Sequence, residues 1–317
     1  MMRENSRIES KSFVLHHLSE GIYAAIADIC GAADSNSGII ELGDQLVIFD
    51  SFLTPQAALE LRRMVEELRG RTPQIVVNSH YHNDHIWGNQ VFAQNAQIIS
   101  STRTRELIAT AGMEEYQWYT ANSAARLEAL RAQHQNSEDE GLQYQQKMWI
   151  CYYEALMEAM PQLSVCMPTI TFDHQLELHG TQRKAELITF EGAHTGSDTV
   201  LHLPGESIIF MSDLLFVNCH PYLADGDPHQ LLKALRELSL LNATHFVPGH
   251  GPVGTLEDVK AMIEYVEHCL ETAQVLVDGG DISEEKISQI KLAKRFRNWL
   301  VPQFYKTNLR FLCGKMT

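Results

Sequence analysis

One short stretch of the sequence concentrates side chains that bind metal ions. It runs from Ser79 to His85 as Ser-His-Tyr-His-Asn-Asp-His and directly follows the apolar run Ile75-Val76-Val77. In nearly extended backbone, alternate side chains share a face, so His80, His82 and Asp84 can point the same way. His85 can then reach a neighbouring position. Four such groups clustered without a cation would be costly, so the stretch predicts a metal site.

More ligands are needed than one loop can supply, and candidates occur where other strand-like runs end. His194 lies in Gly-Ala-His-Thr-Gly, Asp213 in Phe-Met-Ser-Asp-Leu and His250 in Pro-Gly-His-Gly. Small or turn residues beside each of them let the backbone pass close to a metal. Imidazole nitrogen and carboxylate oxygen suit zinc, and also iron or manganese. Asp50 ends another apolar run and could either support these ligands by hydrogen bonds or simply end a strand.

Composition narrows the class of protein. The chain has 317 residues, 44% of them apolar, and 25 basic against 40 acidic side chains, a net charge of −15. This is enough chain for a sizeable core. The acidic balance, with no basic cluster longer than Lys294-Arg295-Phe296-Arg297, argues against a nucleic-acid partner. No apolar run reaches the roughly 18 residues that span a bilayer, so no membrane partner is expected.

The cysteines and the N-terminus predict a cytoplasmic protein. The six cysteines are scattered without a C-x-x-C pair, which is typical of free thiols in a reducing compartment. The polar N-terminal residues show no basic and apolar pattern of a secretion signal.

The elements that must position the candidate ligands alternate in type. Apolar runs predict strands in each half of the chain, and a helix is predicted from Pro55 to Gly70, with Thr54 as its N-cap. Strands with single helices in each half favour α/β layers. Residues 103–167 instead predict two or three helices, with a capping signature at Ser137. This insert could be an ordinary helical hairpin or a lid over a site.

These motifs together resemble the metallo-β-lactamase-fold hydrolase superfamily. The matching pattern is H-x-H-x-D-H from His80 to His85, then Gly-x-His at His194, Phe-x-x-Asp-x-x-Phe around Asp213 and Pro-Gly-His-Gly at His250. The use of an aspartate at position 213 is similar to the glyoxalase II-like and lactonase-like branches. The resemblance implies a four-layer αβ/βα sandwich over residues 1–254, interrupted by the helical insert 103–167. Residues 255–317 would form a helical C-terminal extension packed on it.

The resemblance also implies a division of the ligands between two metal ions. His80, His82 and His194 would bind one, Asp84, His85 and His250 the other, and Asp213 would bridge them. Asp50 would support the metal loop. The cofactors would be two divalent ions, zinc first, with iron or manganese as alternatives.

Two divalent ions that share a water lower its pKa toward neutrality, which makes hydroxide available for hydrolysis. Asp84 is then the predicted catalytic residue, because it can orient the attacking hydroxide and take its proton. The expected substrate is a small ester, lactone, thioester or amide. His220 and Tyr222 follow Asp213 closely enough to line the cleft, although each could equally fold back onto the surface.

Three alternatives share these ligands: a mononuclear iron oxygenase of the sulfur-dioxygenase type, a phosphodiesterase, and a non-catalytic metal-binding protein. The expected partner is a small molecule. The helical insert or the tail could also join two copies of the chain.

Overall fold

Two β-sheets form the centre of the molecule, for which a computed structural model describes residues 8–317. The first sheet has eight strands in chain order, and the second has five in the order β13-β12-β11-β10-β9. The strands of the first sheet are β1 (Ile8–Glu9), β2 (Phe13–Ser19), β3 (Ile22–Ala27), β4 (Ser37–Glu41), β5 (Leu46–Phe49), β6 (Ile75–Val77), β7 (Gln97–Ser101) and β8 (Ile170–Phe172). Those of the second are β9 (Gln175–His179), β10 (Lys184–Phe190), β11 (Asp198–Leu203), β12 (Ile208–Phe216) and β13 (His245–His250).

Ten α-helices cover the sheets within the described part of the chain. They are α1 (Pro55–Arg69), α2 (Asn83–Ile86), α3 (Asn89–Phe92), α4 (Thr102–Leu107), α5 (Met113–Asn136), α6 (Glu140–Ala159), α7 (Pro228–Leu238), α8 (Leu256–Asp278), α9 (Glu284–Gln289) and α10 (Gln303–Met316). The predicted limits of α1 are confirmed: Thr54 Oγ1 accepts from the Ala57 N–H, and Gly70 ends the helix at φ 67°.

The layers follow from where the apolar side chains meet. Ile40 and Phe49 of the first sheet share one buried cluster with Leu201 and Phe210 of the second, so the sheets pack face to face. The outer face of the first sheet packs on α1, and the outer face of the second packs on α7, α8 and α10. This is the predicted four-layer αβ/βα sandwich.

The helical insert and the C-terminal helices attach to the sandwich differently. The tail helices α8 and α10 share one buried core with β12 and α7, through Val259, Met262 and Leu309. The insert helices α5 and α6 pack on each other. Together with the loop after β6, they form a separate apolar cluster that contains Tyr81, Trp87 and Leu156. The domain limit at residue 254 stays a prediction.

Two local predictions are wrong. The break between the insert helices is capped by Asp139, whose carboxylate accepts from the Leu142 N–H, and not by Ser137. The cysteines are not all free, because Cys30 and Cys151 form a disulfide across 121 residues of chain. Their pairing depends on the packing of α6 against the loop after β3, which no local spacing reveals. The cytoplasmic location loses the support of these two thiols and stays a prediction.

Within residues 8–317, no helix is both long and apolar enough to cross a membrane.

Candidate metal centre

The seven predicted ligands converge at one edge of the sandwich. His80, His82, His194 and Asp213 offer ligand atoms that lie within 4.8 Å of one another. Asp84, His85 and His250 form a second such group. Apart from His82 and His250, these side chains are buried. The elements that carry them, β6, β10, β12 and β13, all end here or pass through this edge.

The loop after β6 begins the site because β6 is a central strand. It pairs in parallel with β5 and β7, so its carboxyl end is fixed on both sides. Ser79 O then accepts from the Thr199 N–H at 2.8 Å, which ties the loop to the second sheet. The chain turns into the single turn of α2, and this turn brings Asp84 and His85 toward the second group.

Asp50 holds the loop after β6 in place by hydrogen bonds. Its Oδ2 lies 2.8 Å from His85 Nδ1, and its Oδ1 accepts from the Ser79 N–H at 2.8 Å. Ser212 of the second sheet donates to the same carboxylate at 2.9 Å. Asp50 and Ser212 both adopt positive φ, at 62° and 47°, a conformation that non-glycine residues rarely occupy away from functional sites. Asp50 therefore directs His85 Nε2 toward the second group, as the supporting role predicts.

Asp225 supports His82 in the same way, although the sequence did not single it out. Its Oδ2 lies 2.8 Å from His82 Nε2 and also accepts a hydrogen bond from the Tyr81 hydroxyl. This leaves His82 Nδ1 facing the site, 3.0 Å from His80 Nε2 and 3.2 Å from His194 Nε2. No local motif signals this contact, because Asp225 lies 143 residues from His82.

The loop that carries His194 is closed by Asp198. Its carboxylate accepts from the backbone N–H groups of His194 and Thr195 at 2.9 and 3.0 Å. The Thr195 hydroxyl donates to the same carboxylate at 2.8 Å. These bonds hold His194 so that its Nε2 lies 3.3 Å from Asp213 Oδ2.

Asp213 lies between the two groups. Its Oδ2 is 3.3 Å from His194 Nε2 and 3.5 Å from His250 Nε2, and its Oδ1 is 3.2 Å from His85 Nε2. It has this room because position 249 is a glycine. A Cβ there would stand 1.7 Å from Asp213 Oδ1.

Unpartnered buried atoms show that this donor set fits metal ions. His85 Nε2 and Asp213 Oδ1 are buried and make no hydrogen bond, and both face the site. Buried polar atoms normally make hydrogen bonds, and these two lie 3.2 Å apart without one, so the clustered imidazoles and carboxylates fit a cation site. Nitrogen and oxygen donors without a cysteine suit zinc, iron or manganese.

The mutual charges of these groups shift their pKa values strongly. Burial lowers the pKa of His80 well below its ordinary value and that of His194 to about 4, so both are neutral, as metal binding requires. Burial opposes charge on Asp84, yet neighbouring His85 and His250 hold the pKa of its carboxyl well below the usual range. Burial likewise opposes charge on these two imidazoles, but Asp84 and Asp213 raise their pKa values well above normal. A bound metal ion would displace these protons.

A cavity of about 430 Å³ opens above the two groups. His82, Asp84, His194, Asp213 and His250 line its floor. The insert supplies one wall through five residues: Glu115, Tyr119, Met148, Trp149 and Tyr152. The Cys30–Cys151 disulfide ties the insert helix α6 to the loop after β3 beside this wall.

Two carboxylates in the cavity were not predicted from the sequence. Asp34 follows β3 with φ 62°, and desolvation by the surrounding cavity walls raises its pKa to about 7, with Asp84 adding to the effect. Its side chain remains open to the cavity, since the residue is exposed. Glu115 comes from α5, and burial raises its pKa to about 7. Neither sits in a recognisable motif, so only the fold identifies them.

One of the two predicted substrate-lining residues is wrong. Tyr222 lines the cavity, as does its neighbour Cys219. His220 points the other way: it is fully buried, its Nδ1 lies 2.9 Å from the Tyr265 hydroxyl, and it packs against Trp299. The C-terminal segment supplies the rings that bury His220, including Tyr265 and Trp299, which explains why position 220 faces the core.

Comparison with known proteins agrees with this geometry. The sequence matches the family model described as the metallo-beta-lactamase superfamily over residues 30–250, more than half of the chain. A comparison with curated proteins gave no significant match.

Among solved structures, the chain is similar to a metallo-beta-lactamase from Pontibacter korlensis, with 18% identity and a TM-score of 0.54 over 83% of this chain and 97% of that one. It is also similar to a metallo beta lactamase from Hirschia baltica, with 13% identity and a TM-score of 0.56 over 81% and 98%. At these identities the structures show a shared fold alone. The sequence match, together with the fold, shows that the chain belongs to the metallo-beta-lactamase superfamily.

Proposed function

We propose that this protein is a metal-dependent hydrolase that cleaves a small ester, lactone, thioester or amide. The observation that carries the proposal is the convergence of seven ligand side chains in two groups on the floor of one cavity. His80, His82 and His194 would hold one divalent ion, and Asp84, His85 and His250 the other, with Asp213 between them. Zinc is the proposed metal. Bound there, two such ions polarise a carbonyl oxygen and lower the pKa of a water toward neutrality.

Asp84 is the proposed catalytic base. Its Oδ2 lies 3.2 Å from both His85 Nε2 and His250 Nε2, and its side chain lines the cavity. It can therefore orient a water above the floor and accept its proton. The electrostatic neighbourhood keeps this carboxyl ionised, the form that accepts protons.

The cavity supports attack by water and not by a protein thiol. Cys219 is the cysteine nearest the floor, but burial raises its pKa far above neutrality, with Asp213 adding to the effect. A thiol held in its protonated form is a poor nucleophile.

Metal analysis of unsupplemented protein tests the proposal, combined with a panel of chromogenic ester, lactone, thioester, amide and phosphodiester substrates. Two metal ions per chain and turnover of a carbonyl substrate are expected. One iron per chain with oxygen uptake on a persulfide would replace the proposal with an oxygenase. Tight metal binding without turnover would indicate a binding protein.

The role of Asp84 has its own test. Asp84→Ala is expected to lower kcat by about 100-fold or more, the lower end of what a positioned base contributes. Metal content must be measured in the same preparation, because Asp84 is also a proposed ligand. Asp173→Ala is the matched control, since Asp173 is exposed and lies outside the cavity lining. Unchanged turnover in Asp84→Ala would remove the base role.

A further inference from the structure

The cavity walls carry charge of one sign. Besides Asp84 and Asp213 on the floor, three carboxylates line it: Asp28, Asp34 and Glu115. Among the described residues that line the cavity, none is a lysine or an arginine. Away from the proposed metal ligands, a ligand group with negative charge would meet these three carboxylates and no lysine or arginine. The walls therefore favour a ligand that brings positive charge.

Glu115 has one carboxylate oxygen without a hydrogen-bond donor. Its Oε2 is buried and has no hydrogen-bond partner within the described chain. A buried carboxylate oxygen is normally satisfied, and leaving it without a donor is costly. Glu114, its neighbour on the same helix, is exposed and lies outside the cavity lining. The helix thus directs one of two adjacent glutamates into the cavity.

Asp34 contributes a second acceptor from a different segment. It lies in the loop after β3 with φ 62°, a left-handed conformation that aspartate adopts more readily than most residues. Its carboxylate is exposed to the cavity. An ammonium group in the cavity could donate to either carboxylate, in a hydrogen bond strengthened by the charge of both partners.

Aromatic rings complete the wall. Tyr152 lies 6.0 Å from Tyr119 and 5.5 Å from Trp149, measured between ring centroids. Trp149 lies 6.1 Å from Phe304, which lies 5.5 Å from Tyr222. The five rings line the cavity without a break. Aromatic faces attract cations and exclude water, which strengthens a neighbouring ion pair.

We propose that the substrate of this enzyme carries a protonated amine, which binds to Glu115, Asp34 and the aromatic wall while its scissile group lies over the metal floor. The inference rests on the proposed hydrolytic function and names its substrate class. Because the described lining has no lysine or arginine, these walls offer no such partner to a substrate with a carboxylate in place of the amine, which is therefore expected to bind less tightly.

Binding of hydroxamates to the zinc-loaded protein tests this without turnover, because a hydroxamate replaces the scissile group and is a metal ligand. The probes are the hydroxamates of β-alanine and 6-aminohexanoic acid, each compared with the methyl-ended and carboxylate-ended analogue of equal length. Calorimetry is expected to show that at least one amine probe binds about tenfold more tightly than its methyl analogue, with the carboxylate probe weakest. Equal or weaker binding of both amine probes would overturn the inference.

Substitutions in the cavity wall test which side chains are responsible for amine-selective binding. Glu115→Gln and Asp34→Asn are expected to reduce the amine-to-methyl affinity ratio toward one. Asparagine tolerates the positive φ of position 34, so the second variant retains the local backbone. Glu114→Gln is the matched control and is expected to keep the ratio. An amine-to-methyl affinity ratio that is unchanged in both Glu115→Gln and Asp34→Asn would overturn the proposal that these two residues bind the amine.

The same preparations separate the two proposals. Methyl-ended esters of the same acyl chains report hydrolysis without the amine. Turnover of these esters without any preference for the amine-ended esters would contradict the substrate class alone. Amine-selective hydroxamate binding with no turnover of any carbonyl substrate would contradict the hydrolase alone.

Discussion

Asp225 Oδ2 lies 2.8 Å from Nε2 of His82, and this contact decides which nitrogen of His82 faces the metal site. The carboxylate also accepts from the Tyr81 hydroxyl, so it is held on two sides. Nδ1 is left to meet His80 and His194. A partner that fixes the orientation of a ligating imidazole is as much a part of a metal site as the ligand itself.

Asp225→Asn is therefore expected to weaken the first metal site. The amide oxygen carries no formal charge, so it binds the imidazole of His82 more weakly than the carboxylate does, and the orientation of the imidazole is less firmly fixed. Metal affinity should fall by about 10 to 100-fold, measured by competition with a chromogenic chelator. Asp278→Asn, an exposed position at the end of α8, is the control. Equal affinities in the two variants would show that Asp225 does not position His82.

Asp50→Asn is expected to affect the second metal site first. Asp50 Oδ2 lies within hydrogen-bond distance of His85 Nδ1 and accepts from the hydroxyls of Ser79 and Ser212. An amide nitrogen in its place cannot accept these bonds. Metal content should fall from two ions per chain toward one, as measured by elemental analysis after dialysis. Two tightly held ions in the variant would contradict the supporting role.

Gly249→Ala is expected to displace Asp213. The new Cβ would stand 1.7 Å from Asp213 Oδ1 and 2.9 Å from its backbone nitrogen, closer than real contacts allow. The unfolding free energy should fall by about 1 to 3 kcal/mol, and metal content should fall with it. Gly205→Ala is the matched control, because no atom lies within 4 Å of its added Cβ. A urea unfolding curve for each variant makes the comparison, and similar loss in both would refute the steric explanation.

Removal of metal is expected to destabilise the fold. Chelation leaves His85 Nε2 and Asp213 Oδ1 buried 3.2 Å apart, with no hydrogen bond to either atom. Each site saturated at 100 times its Kd contributes about 2.7 kcal/mol, which chelation removes. Thermal unfolding with a chelator, and again after zinc is restored, measures the change. An unfolding temperature that does not respond to either step would contradict metal binding at these residues.

The disulfide predicts the thiol count. Unfolded, unreduced protein should show four reactive thiols, those of Cys166, Cys219, Cys269 and Cys313, and six after reduction. A chromogenic thiol reagent measures both values. Cys151→Ser should give five in either state because it releases Cys30. Six thiols without reduction would restore the original prediction of free cysteines and support the cytoplasmic location.

The ligands could be predicted from the sequence because their signals are local. His80, His82, Asp84 and His85 lie within six residues, and their spacing alone gives a shared face after a buried strand. The other three ligands each end or follow an apolar run and have small residues beside them, a context typical of a strand end. They are His194, Asp213 and His250. The helical insert was likewise recognisable from composition, although its caps were not.

What only the tertiary structure decided depends on contacts between distant parts of the chain. Asp225 reaches His82 across 143 residues, and Cys30 reaches Cys151 across 121. Which of Glu114 and Glu115 enters the cavity follows from how α5 packs on the metal loop, and His220 turns inward because the tail helices cover it. The identity of the ligands is thus a property of short segments. Their orientation and the character of the cavity arise from packing between segments, which no local pattern encodes.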